Sequence, residues 1–524
     1  MVSEPLELTA GLILATFSAL GYGRLATRLL KIEGALAADG VIGTTILTTI
    51  FAVVHFFFAL QGTVNLAVLA PGILLLAILF KRRFLIELPV IAAMVWWAVQ
   101  FSRTGGATYD QGLYHLQTML WHNTDHIIVG LANLHTLLGY NESHFILAAG
   151  LNIPSLGGWS LSFLATALVE AMIAADLLFS IRSSTEKIAR LYSFVVVVFL
   201  LAEPRWILGP NYLSPEPIVA LGVLYSFLLF LDKRKTALLL WVPFLLTVKL
   251  TSAPLMLLLD WNRESLRKPA ALVGALILTV WLAGNIVLTG YLAFPVAFSR
   301  LPLPWAVEKA RAADLTHWIT SWARGPEKTF QETSGLKWLR PWANRMYAQQ
   351  ELRGALVMFA AGIFLLVYKK ALRRLDLRLH LVVAAGLIFW FAAAPDPRYG
   401  RGFIFGAALV IIAYGVESLE LLQFDPSNAV IVVALLACWL GVSAAQQGGG
   451  EDWPKTEHPA VRLAMTPSGH AIWTPVYGDQ CWAVLLCSPA PQMIEYYPKR
   501  VIPMAPTTDS PSCDMDVSLR PCVK

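Results

Sequence analysis

The chain is short of charge. Asp, Glu, Lys and Arg make up only 14% of its 524 residues, against about 25% in an ordinary globular domain. That shortage excludes a soluble assembly of several domains, and a 57% hydrophobic content excludes disorder. It also lacks the short motifs of familiar chemistry. There is no P-loop, no dinucleotide-binding glycine fingerprint and no HExxH helix. A cleavable signal peptide is not expected, because Arg24 and Arg28 follow the first apolar run where small residues would stand. Cysteines are few. Of five, Cys438 lies in an apolar run, while Cys481, Cys487, Cys513 and Cys522 gather in the polar C-terminal segment. Four cysteines in so short a stretch read as two disulfides, provided the segment faces an oxidising compartment.

What the chain has in abundance is apolar runs of about the length a bilayer demands, roughly 20 residues, with 18 Trp and 15 Tyr for the membrane boundaries. Spans are expected near 7–23, 41–60, 64–80, 84–101, 158–181, 191–204, 215–231, 270–291, 354–368, 380–395, 402–422 and 428–446. The stretch 236–259 carries Pro243, Lys249 and Pro254. It reads as two half-spans meeting at Lys249, an arrangement tolerated only against protein or a wet cavity. The fold class is therefore an all-α polytopic membrane protein. A transmembrane part covers 1–446, and a small disulfide-bonded appendage covers 447–524.

The net charge of +6 does not point to nucleic acid. Basic clusters at 81–83, 182–190, 233–235, 263–268 and 369–374 sit between apolar runs and all fall on one side, which the positive-inside rule makes cytoplasmic. Loops 102–157, 205–214, 292–353 and 396–401, with the tail, then lie outside. A strand pair is expected within 471–487, turning at Tyr477-Gly478-Asp479.

Three outer segments carry candidate chemistry. From Thr108 to His122, Leu113, Leu116 and Leu120 recur at helical spacing, as in an amphipathic helix on the membrane surface. Asp110, Tyr114 and Gln117 share its other face, although an Asp opening a helix is also a common cap. In Ala394-Pro-Asp-Pro-Arg-Tyr-Gly-Arg401, Arg398 and Arg401 stand at headgroup depth, where guanidinium suits phosphate. Between Glu203 and Pro217 a tight loop holds Arg205 and Glu216. Lys249 belongs with it, as an ionisable residue in an apolar stretch. His122 and His126 have zinc-compatible spacing but no evident third ligand.

This set of residues resembles the GT-C superfamily, integral-membrane glycosyltransferases that use polyprenyl-phosphate-linked sugars. Asp110-x-x-x-Tyr114-His115 in the first outer loop looks like their acidic motif, and the Asp-Pro-Arg-Tyr-Gly-Arg turn like their phosphate-holding loop. The likeness extends to a bacterial family of GT-C-like membrane proteins through Gly130-Leu-Ala-Asn-Leu-His135, Gly139-Tyr-Asn-Glu-Ser143, Ser214-Pro-Glu-Pro217, Lys249-Leu-Thr-Ser252 and Gly478-Asp-Gln-Cys-Trp482. Glu216 replaces an expected Asp, and Leu486 an expected Pro.

The resemblance implies about 12–14 transmembrane helices with periplasmic amphipathic helices, in the bacterial inner membrane, with the site facing the periplasm. It implies transfer of a sugar from a polyprenyl-phosphate carrier to a glycan, lipid or protein hydroxyl. Asp110 would be the general base. Arg398, Arg401, Lys249 and Arg205 would bind donor phosphate, and Tyr114, His115 and Glu216 would hold sugar or acceptor hydroxyls. No cofactor is called for, and a divalent metal is left open. A transporter or flippase of a lipid-linked or anionic solute is the alternative in another class. A polysaccharide polymerase or ligase is a third.

Overall fold

The computed structural model describes residues 3–102, 108–208, 213–326, 328, 331–419, 459–482 and 484–494. The span expected at 428–446 and the cysteines Cys438, Cys513 and Cys522 lie outside the described residues.

The structure is mostly helical. In chain order come α1 Ser3–Leu30, α2 Leu36–His55, α3 Gly62–Ile78, α4 Phe84–Ser102, α5 Leu116–Thr124, α6 Ser143–Gly150, α7 Gly158–Phe163, α8 Ala165–Ser183, α9 Lys187–Ala202 and α10 Pro204–Leu208. Then follow α11 Glu216–Leu231, α12 Lys235–Val248, α13 Arg263–Leu266, α14 Pro269–Thr289, α15 Lys309–Arg324, α16 Leu339–Ala348, α17 Gln350–Tyr368, α18 Leu377–Ala393 and α19 Pro397–Ser418. Each apolar run expected within these residues is a helix. Among the described residues, seven helices are long and apolar enough to cross a membrane: α1, α2, α4, α7 with α8, α14, α17 and α19. Four shorter apolar helices, α3, α11, α12 and α18, pack among them.

Burial ranks the helices. The apolar window of α7–α8 is 94% buried, whereas those of α14 and α17 are 28% and 17% buried. The first is the central pillar, and the others are the rim. Leu272, Leu276, Leu356, Phe364, Leu381 and Ile388 stand exposed on that rim. So much uncovered apolar surface is what a lipid-facing belt requires, and water would not tolerate it. At the opposite edge α1 touches α2 and α3 backbone to backbone. A Cβ on Gly21 would fall 1.7 Å from the Gly72 carbonyl, and one on Gly43 1.7 Å from that of Ala19. Small residues at helix contacts permit this closeness.

The break expected at Lys249 within 236–259 is present. Helix α12 ends at Val248, Lys249 is extended (φ −160°, ψ 133°), and residues 250–258 continue as a 3₁₀ helix. Two other expectations are corrected. The segment after Asp110 is not a surface helix. It opens with a π-turn, Gln111–His115, and both faces are covered: Leu113, Leu116, His115 and Gln117 are all buried. Its apolar period marks packing against protein, not against a membrane surface. The tail hairpin is also displaced. Strand β1, Val461–Met465, pairs antiparallel with β2, Ala471–Pro475. The turn forms at 466–470, where Gly469 takes a left-handed φ of 81°. The turn at 477–479 leads instead into Cys481, which is disulfide-bonded to Cys487.

Candidate functional site

Helix ends make the site. Helix α19 begins as its sequence dictates: Asp396 is the N-cap, its carboxylate accepting from the Arg398 amide at 3.1 Å, with Pro397 in the first turn. The preceding turn is pinned from two sides. The Trp342 indole donates to the Pro395 carbonyl (2.6 Å), the Trp390 indole to that of Asp396 (2.7 Å), and Thr320 to that of Ala393 (3.1 Å). This fixes the Arg398 side chain, whose guanidinium lies 4.4 Å from the centre of the Trp322 ring and also donates to the Tyr399 hydroxyl.

Arg398 Nη1 meets Asp110 Oδ2 at 2.7 Å. Asp110 makes no cap bond to its own helix. The local reading of Asp110 as a helix cap is therefore replaced by a long-range partner 288 residues away. Arg398 Nε is buried, with no partner of its own among the described residues.

Beneath this pair lies a second charged group. Lys249 Nζ, at the break after α12, is 2.6 Å from Glu216 at the start of α11 and 3.2 Å from Glu142 just before α6. Glu216 also accepts from Ser214 Oγ. Lys249 sits 5.3 Å from the Tyr399 ring centre, which links the two charged groups. Burial pushes the Glu142 carboxyl up to about 7, against the opposing pull of Lys249. A narrow cleft with a cavity volume of only about 10 Å³, lined by Glu216, Lys249, Thr251, Arg398, Tyr399 and apolar residues of α11 and α19, lies between them.

The remaining candidates are placed as follows. Arg401 turns away from Arg398 and pairs with Glu351 of α17 at 3.3 Å. Arg205 is exposed on α10 and does not line the cleft. Tyr114 and His115 are buried behind Asp110, against Tyr140, Phe145 and each other. Burial drives the His115 imidazole down to about 3, so it is neutral. His122 faces His55 (2.9 Å) and His126 faces Asp125 (2.5 Å), so the two do not converge. Among the described residues no three His, Cys, Asp or Glu side chains gather as a metal site.

Sequence reasoning gave no role to Trp322, Trp342 and Trp390, nor to Glu142, although Glu142 stands in Gly139-Tyr-Asn-Glu-Ser143, one of the segments that carry the family resemblance. Glu142 could have been found as a carboxylate directly before the apolar start of α6. The three tryptophans carry no local signal, because interfacial tryptophan is expected anyway.

Residues 8–405 match the model of a family described as "Domain of unknown function (DUF8201)", and the chain belongs to that family. No curated protein and no solved structure matches it.

Proposed function

We propose that this member of the family is a membrane glycosyltransferase that takes a sugar from a polyprenyl-phosphate carrier and passes it to an acceptor hydroxyl on the outer side of the bacterial inner membrane. One observation carries the reading. The carboxylate and the guanidinium that the sequence singles out separately meet at 2.7 Å at the mouth of a cleft that also holds Lys249.

The chemistry follows from that contact. At rest Asp110 occupies the fork of Arg398. A donor phosphate is the better partner for a guanidinium, since it accepts paired hydrogen bonds, and the N-terminus of α19 favours an anion beside it. Binding of the phosphate then frees the Asp110 carboxylate. Asp110 takes the proton of the acceptor hydroxyl as its oxygen attacks the anomeric carbon. The bond from that carbon to the phosphate oxygen breaks, and the electron pair leaves with the carrier phosphate, which Arg398 steadies. Lys249, held by two carboxylates, keeps the inner wall of the cleft near neutrality.

The test is release of polyprenyl phosphate and transfer of sugar by purified protein. Asp110→Asn should lower transfer by about 10²–10⁴-fold. Arg398→Lys should keep part of donor binding and lose rate, and Arg398→Ala should lose both. A second reading, a transporter for a lipid-linked or anionic solute, draws on the break at Lys249 between α12 and the 3₁₀ helix. It expects the lipid to cross the bilayer unmodified. Such movement without sugar transfer, indifferent to Arg398, would sink the transferase.

A further inference from the structure

The tail reaches the site. Tyr109, the residue before Asp110, donates its hydroxyl to Asp479. Gln117, one turn past the π-turn, donates Nε2 to the Cys487 carbonyl at 2.9 Å. Between these two points Gln480 lies on Gly112 so closely that a Cβ there would stand 2.5 Å from its amide oxygen. The contacts fall on both sides of the π-turn that carries Asp110 and His115. The appendage residues in these three contacts, Asp479, Gln480 and Cys487, lie at or next to the ends of the loop closed by Cys481–Cys487. Apolar packing backs the polar contacts: Ile472, Leu486 and Ile494 share a core with Trp121, Leu131 and Leu134. The bond to Asp479, followed by burial, pushes the Tyr109 phenol up to about 12, which keeps it a donor at any working pH.

A π-turn has a wider ring than an α-turn and tends to mark functional sites. Here it follows Asp110 directly, so the carboxylate's place depends on what steadies the turn. Its own helix supplies no side-chain cap. Arg398 holds the carboxylate only until that guanidinium is taken by another anion. At that moment the tail contacts are what keep Asp110 in position.

We infer that the disulfide-closed loop of the appendage is the outer wall of the site, and that Asp479, acting through Tyr109, with Gln480 on Gly112, is a positioning residue for Asp110. This rests on the proposed role of Asp110. The disulfide belongs to the same device, because it ties Cys487, whose carbonyl accepts from Gln117, to Cys481, which directly follows Asp479 and Gln480 in the chain. Reduction of the disulfide then loosens the Asp110 turn while leaving the helical bundle in place.

The experiment is amide hydrogen exchange on the full chain in phospholipid nanodiscs. It reads the turn without any turnover, so failure of the transferase reading would not disturb it. In Asp479→Ala, in Tyr109→Phe and in the Cys481→Ser/Cys487→Ser pair, exchange over 108–117 should quicken by about 3- to 10-fold, the worth of a hydrogen bond. Exchange over 397–405 should stay as in the wild type. Asp479→Glu should restore the slow rate. Combining Asp479→Ala with Tyr109→Phe should add nothing beyond either alone, as two partners of one contact require. With a polyprenyl-phosphate sugar, Asp479→Ala should lower kcat at constant donor KM. Wild-type exchange over 108–117 in all three variants would overturn the inference, as would additive effects of Tyr109 and Asp479.

Discussion

Lys249, Glu142 and Glu216 keep only 15%, 9% and 11% of their side-chain surface exposed, whereas Arg398 and Asp110 keep 30% and 23%. Lys249, Glu216 and Arg398 line one cleft, but the two groups differ in kind. A buried ion is held by its partners because leaving them means an unpaired charge in a dry place. A half-exposed pair can trade its partner for water or for a ligand at little cost. The inner triad therefore suits a fixed wall, and the outer pair suits an exchange. The surroundings match that division. Lys249 sits at a break in the chain where three helix ends close over it, while the Asp110 turn is propped from outside by the tail.

Breaking the inner group should produce the largest effect. Lys249→Met leaves two buried carboxylates without their cation, and should cost about 3–5 kcal/mol. This would show as a loss of thermal midpoint in detergent, partly recovered by adding Glu216→Gln. A midpoint unchanged by Lys249→Met alone would erase the distinction between the two groups.

Next comes the support of the arginine. Trp342→Phe keeps the ring and removes the indole bond to the Pro395 carbonyl. A loss of about 1 kcal/mol is expected for one such bond. It should appear as faster exchange over 397–405, with 108–117 untouched, the mirror image of the tail variants. The outer pair itself should matter less to stability. Asp110→Asn should shift it by under about 1 kcal/mol, and the shift should shrink further as salt is raised.

The last effect is a slope with pH, not a single loss. The Glu142 carboxyl is raised to about 7 from an ordinary value near 4.5, chiefly by burial. Between those values the folded chain binds the extra proton. Stability should therefore fall as pH rises from about 4.5 to about 7, and level off above. Glu142→Gln should flatten that slope. A midpoint that rises across the same range would reverse the assignment.

Much of the fold was readable in the sequence because a helix in an apolar solvent announces itself by length and composition. Even the break at Lys249 was legible, from one charge and two prolines in an apolar run. The Arg398 side of the site was legible for a similar reason: cap, proline and arginines are neighbours in the chain. The Asp110 side was not. A cap and a partner to a distant arginine look alike locally, and only the fold separates them. Its helix was misplaced because an apolar stripe does not say whether lipid or protein covers it. The tail hairpin was misplaced because two turn sequences, Ser468-Gly469 and Gly478-Asp479, competed, and strand pairing chose the first. Arg401 was grouped with Arg398 by spacing, but Glu351 lies on the face it presents.

Tyr109 and Asp479 stand 370 positions apart in a chain made from one end to the other. Every helix from α1 to α19 is synthesised before the wall that completes the Asp110 turn. Until Asp479 is made, then, the molecule is a bundle with an unfinished mouth. A chain cut short after α19 would keep the membrane helices described above and still lack Asp479, Gln480 and the loop that carries them. The tail is thus a check on what precedes it: the mouth closes only on a chain that has been built past Cys487 and has paired it with Cys481.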